Sequence, residues 1–287
     1  MKKILALFVF ALCASAAGCA MAGPDDEGPV IEDRLAAQEA ISEADQLFDR
    51  GKFYKAYKGY ERGLRLYPRH PQREEIVKRE IEEIGLKFLD GSIKVGWFGT
   101  RFLAGPRPEV GVDIIRKVIL RHHKQGYEFL ADAQYRLATY LFERRRYEEA
   151  QLEFEFLIRN FKDSYWTLMS EFLLAESLYL QNQGAKFDRG TLDDAQEHFR
   201  KFLDGSGVGP GATEDKRVEQ ARERLETIRN TKAEKEYLKG RFYFESGRYR
   251  AAAFVLRDIP ARYPATVWAE EADKLLAEAQ KKIDEER

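Results

Sequence analysis

Four groups of residues in this 287-residue chain could do chemistry by type and spacing. The first is Gly205-Ser206-Gly207-Val208-Gly209-Pro210-Gly211, a run whose backbone N–H groups could cradle a phosphate. Such a cradle needs a strand before it, a helix N-terminus after it and usually a Gly-Lys-Ser/Thr ending. A helical pattern precedes this run and no lysine stands in the required place, so it reads as a loop between helices. The second group is His122-His123. Adjacent residues on a helix do not share a face, whereas zinc-binding pairs stand at i, i+4 or a similar spacing. No cysteine or carboxylate completes a ligand set, and the pair sits at a helix end, where histidine can meet the dipole. The third group is Glu176-Ser177 and Glu245-Ser246, a carboxyl beside a hydroxyl, which could serve as the general acid of a cell-wall lyase. The Gly-Leu-Met-Gln stretch that accompanies such a pair is absent, and both pairs fall inside helices. Arg144-Arg145-Arg146 is the fourth, either a solvated turn or a dock for an acidic partner. None of these makes a catalytic set, so the expectation is no enzyme, no cofactor and no metal.

The two cysteines point to a different chemistry. Lys2 and Lys3 precede an apolar run over residues 4–12, too short to span a bilayer, and small residues follow from Ala14 to Gly18. Cys19 comes next, in a setting that resembles the lipobox of bacterial lipoproteins, where the cysteine is acylated and becomes the first residue. Ala16 departs from the Leu more common in that motif, and ordinary cleavage after Ala16 or Ala22 is the alternative. On the lipoprotein reading residues 1–18 are the signal peptide, and Cys13 is lost with it. The mature chain keeps no other thiol, so no disulfide framework can form. Several acyl chains on Cys19, palmitate among them, would anchor the protein stably. Ala20 is not the Asp of an inner-membrane retention signal, so the expected address is the outer membrane. Residues 19–33 include Gly23-Pro24-Asp25-Asp26-Glu27-Gly28-Pro29 and read as a lipidated N-terminus and tether. The whole chain carries 48 basic and 49 acidic residues, a balance that gives no reason to expect nucleic acid as a partner.

The elements that must position any site are helices arranged as a repeat. Three segments superimpose without gaps. Ala44, Ala56 and Tyr67-Pro68 define the first, Ala138, Ala150 and Phe161-Lys162 the second, and Gly240, Ala252 and Tyr263-Pro264 the third. Small residue to small residue is 12 positions in each, and from there to the Pro slot is 12 again. Small residues let two antiparallel helices approach where they cross. Phe53, Tyr147 and Tyr249 stand at the start of the second helix, and proline in the closing slot ends it. This resembles the tetratricopeptide repeat. Two weaker units fill the gaps. One pairs a helix over residues 76–89 with another over 112–122, with Gly111, Ile115 and Ile119 in the register of Ala56, Tyr60 and Leu64. The other uses Ala175 and Leu178 against Leu192, Ala195, Phe199 and Leu203. From Thr266 a last helix buries Trp268, Ala272, Leu275, Leu276 and Ala279, as a terminal cap should. The expected fold is all-α, a solenoid of five tetratricopeptide-like helix pairs plus a C-terminal capping helix. Residues 34–126 hold two pairs, and residues 127–287 hold three and the cap.

In tetratricopeptide repeats the first helix of each pair lines a concave groove, at fixed offsets from the small residue. Those offsets select Gln38, Ile41, Asp45 and Phe48 in the first unit, and Asp132, Tyr135, Thr139 and Phe142 in the third, and the rings of Phe48, Tyr135 and Phe142 suit a peptide with bulky side chains. Trp97 and Phe98, in a glycine-rich segment between helices, are further candidates for partner contact.

The combination of lipobox, tether, five helix pairs and cap resembles the BamD family of outer-membrane lipoproteins. The likeness is strongest in Tyr147-Glu148-Glu149-Ala150, in Phe187-Asp188-Arg189 ahead of Ala195, and in Gly247-Arg248-Tyr249-Arg250-Ala251-Ala252 and Tyr263-Pro264-Ala265-Thr266. The second unit departs from it, with His123 in the Pro slot and the Trp97 segment inserted. The resemblance implies a periplasm-facing scaffold anchored in the outer membrane. Its C-terminal repeats would dock a periplasmic domain of the β-barrel insertase, and its N-terminal groove would receive unfolded outer-membrane protein segments. A general adaptor lipoprotein for pilus or secretin assembly, or for cell-wall coordination, is the alternative.

Overall fold

The computed structural model describes residues 33–95, 105–181, 189–207 and 216–286. Cys19, Trp97, Phe98, Phe187, Asp188 and most of the glycine-rich run from Gly205 lie outside the described residues. Among the described residues five helix pairs and a cap follow one another. They are α1 (Arg34–Asp49) with α2 (Phe53–Leu66), and α3 (Arg73–Lys78), which runs through a π-helical stretch Arg79–Gly85 into α4 (Leu86–Leu89), with α5 (Pro108–His122). Then come α6 (Glu128–Glu143) with α7 (Tyr147–Asn160), and α8 (Trp166–Gln181) with α9 (Arg189–Gly205). The fifth pair is α10 (Lys216–Glu245) with α11 (Tyr249–Leu256) and the short α12 (Ile259–Arg262). The cap is α13 (Val267–Glu285). One departure from the all-helical expectation is a two-residue antiparallel ladder, β1 (Lys94–Val95) with β2 (Gly105–Pro106).

Turn chemistry repeats with the sequence. Gly51, Arg145 and Gly247 occupy the same slot, and all three adopt the left-handed conformation, with φ of 69°, 61° and 72°. The turns close with the same two backbone bonds. Lys52, Arg146 and Arg248 donate to the carbonyls of Leu47, Leu141 and Tyr243, at 2.8, 3.0 and 2.9 Å. Gly51, Arg145 and Gly247 donate to Phe48, Phe142 and Phe244. This is the Schellman arrangement, which satisfies carbonyls that a helix end leaves orphaned.

Close packing explains the small residues. In the first pair a Cβ at Gly63 would stand 2.5 Å from Cγ1 of Ile41, and one at Gly59 2.7 Å from Cβ of Ala44. In the second pair a Cβ at Gly111 would stand 2.5 Å from the backbone N of Leu89, so the register shared with Ala56 marks the tightest crossing of α5. Gly240 meets Leu256 in the same way.

One continuous core runs from Ile41 to Ile228, and a second cluster joins Ala233, Ala252, Leu256, Ile259, Tyr263, Ala272 and Ala279. The 30-residue α10 belongs to both, its first half packing under α8 and α9 and its second half under α11 and α13. At the joint Lys232 is buried, its ammonium held by Asp193 and by Gln196 at 2.6 Å. The cap begins at Thr266, whose hydroxyl accepts from the Ala269 N–H at 3.2 Å. Trp268 packs 5.2 Å from Tyr237, half-buried rather than fully enclosed.

Candidate protein-binding site

Six of the groove residues divide by their surroundings. Ile41 is buried, filling the space that Gly63 leaves open, and faces the core instead of a groove. Asp45 ties the first pair to the second. The hydroxyl of Tyr60 and Nη1 of Arg79 each donate to Asp45 Oδ1 at 2.6 Å, and Arg79 also reaches the Tyr60 hydroxyl at 3.1 Å. Phe48 and Phe142 are half-buried, each edge-on to the aromatic that opens the next helix, with ring centres 5.3 Å apart to Phe53 and 5.5 Å to Tyr147. Phe244 meets Tyr249 at 5.3 Å in the same slot of the fifth pair. These rings therefore close the inter-helix turns, a contact that often accompanies a Schellman end. Tyr135 stacks on Trp166 with centres 4.2 Å apart, and its phenol is pushed above the ordinary tyrosine range chiefly by burial. Thr139 lies beside it, half-buried.

The charged candidates also find structural partners. Arg146 donates to Glu109 at 2.7 Å and to Glu149 at 2.7 and 2.9 Å, and Arg144 lies over the Tyr140 ring. The arginine run is thus a turn braced between the second and third pairs. Glu176 is buried under the guanidinium of Arg224 at 2.9 Å, and Glu245 pairs with Arg241. His122 is buried with its Nδ1 facing Arg73 Nη2 at 3.0 Å. Burial first, and then Arg73 and Arg121, push its imidazole down to about 3, so it is neutral at physiological pH. His123 turns away and meets the Ile119 and Leu120 carbonyls at the helix end.

Two surfaces escaped the repeat-slot reasoning. Leu238 and Phe242 stand four residues apart on one face of α10, and both are exposed. This short strip offers apolar surface that a partner can cover. The i, i+4 spacing was legible in the sequence, but only the tertiary structure shows that both side chains are left exposed. The other surface is a pocket of about 640 Å³ between the α5–α6 and α7–α8 turns. Tyr127, Phe129, Phe161, Tyr165 and Trp166 supply its aromatic wall.

A family model described as YfiO, outer membrane lipoprotein, matches residues 117–287, more than half of the chain. The match takes in the end of α5, the last three helix pairs and the cap, including the exposed Leu238 and Phe242 of α10. A search of curated proteins finds no match. Among the described residues no helix is long and apolar enough to cross a membrane.

Proposed function

The chain belongs to the YfiO family of outer membrane lipoproteins, and we propose on that premise that it is a BamD-like scaffold for β-barrel assembly. In this reading Cys19 carries the lipid, the residues up to 33 form the tether, and the solenoid faces the periplasm. Residues 127–287 dock a periplasmic domain of the β-barrel insertase, and residues 34–126 receive segments of unfolded outer-membrane proteins. Trp97 and Phe98, with the half-buried Asp45, Phe48, Tyr135, Thr139 and Phe142, remain the proposed contacts for those segments.

The observation that carries the reading is the family match over a C-terminal half whose α10 exposes a short apolar strip, Leu238 and Phe242. A stable partner covers such a strip with its own apolar surface, and the release of ordered water drives the association. The test places a photo-crosslinking residue at Phe242 and purifies the lipoprotein from outer membranes. Recovery of a β-barrel insertase adduct is the expected result, whereas adducts confined to pilus, secretin or cell-wall proteins would sink the assembly reading. In parallel, Cys19→Ala should abolish palmitate labelling and release the protein from the membrane fraction.

A further inference from the structure

The pocket between the turns gathers five aromatic side chains and three carboxylates. Tyr127 and Phe129 stack with centres 5.5 Å apart on one side, and Tyr165 stands edge-on to Trp166 at 5.1 Å on the other. Tyr165 is 83% exposed, an unusual position for a tyrosine with no role in the core. Three carboxylates, Glu128, Asp132 and Asp163, share the lining with one lysine, Lys162. Asp132 is paired with Arg136 at 2.8 Å, but Glu128 and Asp163 form no ion pair among the described residues.

The apolar surface does not stop at the pocket. His123, on its wall, is edge-on to Phe156 at 5.4 Å, and Phe156 lies 6.3 Å from Phe161. Phe156 in turn lines a smaller depression with Leu120, which is 65% exposed. Leu152, exposed and one turn before Phe156 on α7, extends the same strip. The surface is therefore an aromatic pocket with a surplus of negative charge, opening onto an aliphatic track.

We propose that this surface docks an extended partner peptide, with a basic side chain in the aromatic pocket and flanking apolar residues along the Leu120–Leu152 track. Aromatic faces carry negative potential and attract a guanidinium or ammonium group. Glu128 and Asp163 add complementary charge at the rim, and an acidic peptide would meet the wrong sign. The pocket adjoins the proposed groove through Asp132 and through Trp166, on which Tyr135 stacks, but it shares no residue with the α10 strip of Leu238 and Phe242, so its failure would leave the proposed insertase dock standing.

The test uses the isotope-labelled mature chain and two synthetic peptides, acetyl-Leu-Phe-Arg-Leu-amide and its citrulline counterpart, which keeps the shape and removes the charge. Magnetic resonance titration should show saturable shifts at the Trp166 indole N–H and at the Tyr127 and Asp163 amides. The arginine peptide should bind about tenfold more tightly than the citrulline peptide. The double variant Glu128→Gln/Asp163→Asn should bring the two within about twofold of each other, and Tyr165→Ala should weaken both. All three substitutions are at exposed positions, so the fold is retained and circular dichroism checks it. Equal affinity for the two peptides, shifts elsewhere on the chain, or no saturable shift would each overturn the proposal, as would an unchanged preference in the double variant.

Discussion

Glu80 and His122 together should give the second helix pair a pH profile that can be worked out from their surroundings. Glu80 is completely buried in the π-helical stretch, and neither carboxyl oxygen has a hydrogen-bond partner among the described residues. Burial pushes its carboxyl up to about 8, against a pull downward from Arg121 at 3.8 Å and a smaller push from Glu61. The folded pKa lies above the unfolded value of 4.5, so the proton is held by the fold. Its stabilisation is complete below pH 4.5 and is lost as pH rises from there through 8. His122 has the opposite shift, from 6.5 down to about 3, so its neutral ring contributes stability above pH 6.5 that is lost as pH falls toward 3. Between 4.5 and 6.5 unfolding releases a proton from Glu80 and takes one up at His122, and their slopes cancel. Above 6.5 the Glu80 slope stands alone, at about 1.4 kcal/mol per pH unit, or roughly 2 kcal/mol by pH 8.

The decisive comparison is wild type against Glu80→Gln, measured by urea unfolding followed by far-ultraviolet circular dichroism from pH 4.5 to 8.5 at constant ionic strength. Subtracting the two curves removes every other titrating group, and any fixed packing difference appears only as an offset. Glu80→Gln should gain on wild type by about 3–5 kcal/mol across that range. A difference that stays flat with pH would mean that Glu80 is ionised in the fold, and the burial argument would fail. His122→Phe, compared in the same way, should lose the part of the acid-side decline between pH 6.5 and 3 that belongs to the imidazole.

Two further substitutions test the turn and crossing geometry. Arg145 holds φ of 61° in the slot where the sister turns have glycine, so Arg145→Gly should stabilise the chain by about 0.5–1 kcal/mol. Gly51→Ala, whose Cβ meets only ordinary contact with Phe53 at 3.9 Å, should destabilise it by about 1 kcal/mol through backbone strain alone. Equal signs for these two in thermal unfolding would refute the shared-turn argument. Gly111→Ala forces a methyl group onto the backbone of α4 and should cost about 1–3 kcal/mol, read as a lowered urea midpoint with an unchanged slope.

Local regularities carried most of the fold. The 12-residue spacing, the turn slot at Gly51, Arg145 and Gly247, and the paired aromatics are set within one helix pair, where i to i+12 neighbours must meet whatever lies beyond. The same regularities explain why Phe48 and Phe142 close turns. Phe244 repeats them in the fifth pair, and the three-fold recurrence was a visible sign of a structural role. Ile41 was less legible, because a groove offset describes the backbone, while its burial depends on the missing side chain of Gly63 across the crossing.

Tertiary structure alone decided the rest. Nothing local places the Glu80 carboxyl near Arg121, or distinguishes a 30-residue α10 serving two cores from two shorter helices. The aromatic pocket joins Tyr127 to Tyr165, nearly forty positions apart, because stacking of successive pairs brings their turns side by side. By itself the sequence determined a chain of helix pairs, since each pair is a local agreement between small residues, turn and aromatic. How those pairs stack sets which apolar residues are covered and which stay exposed, and that depends on contacts between distant segments that no single repeat contains.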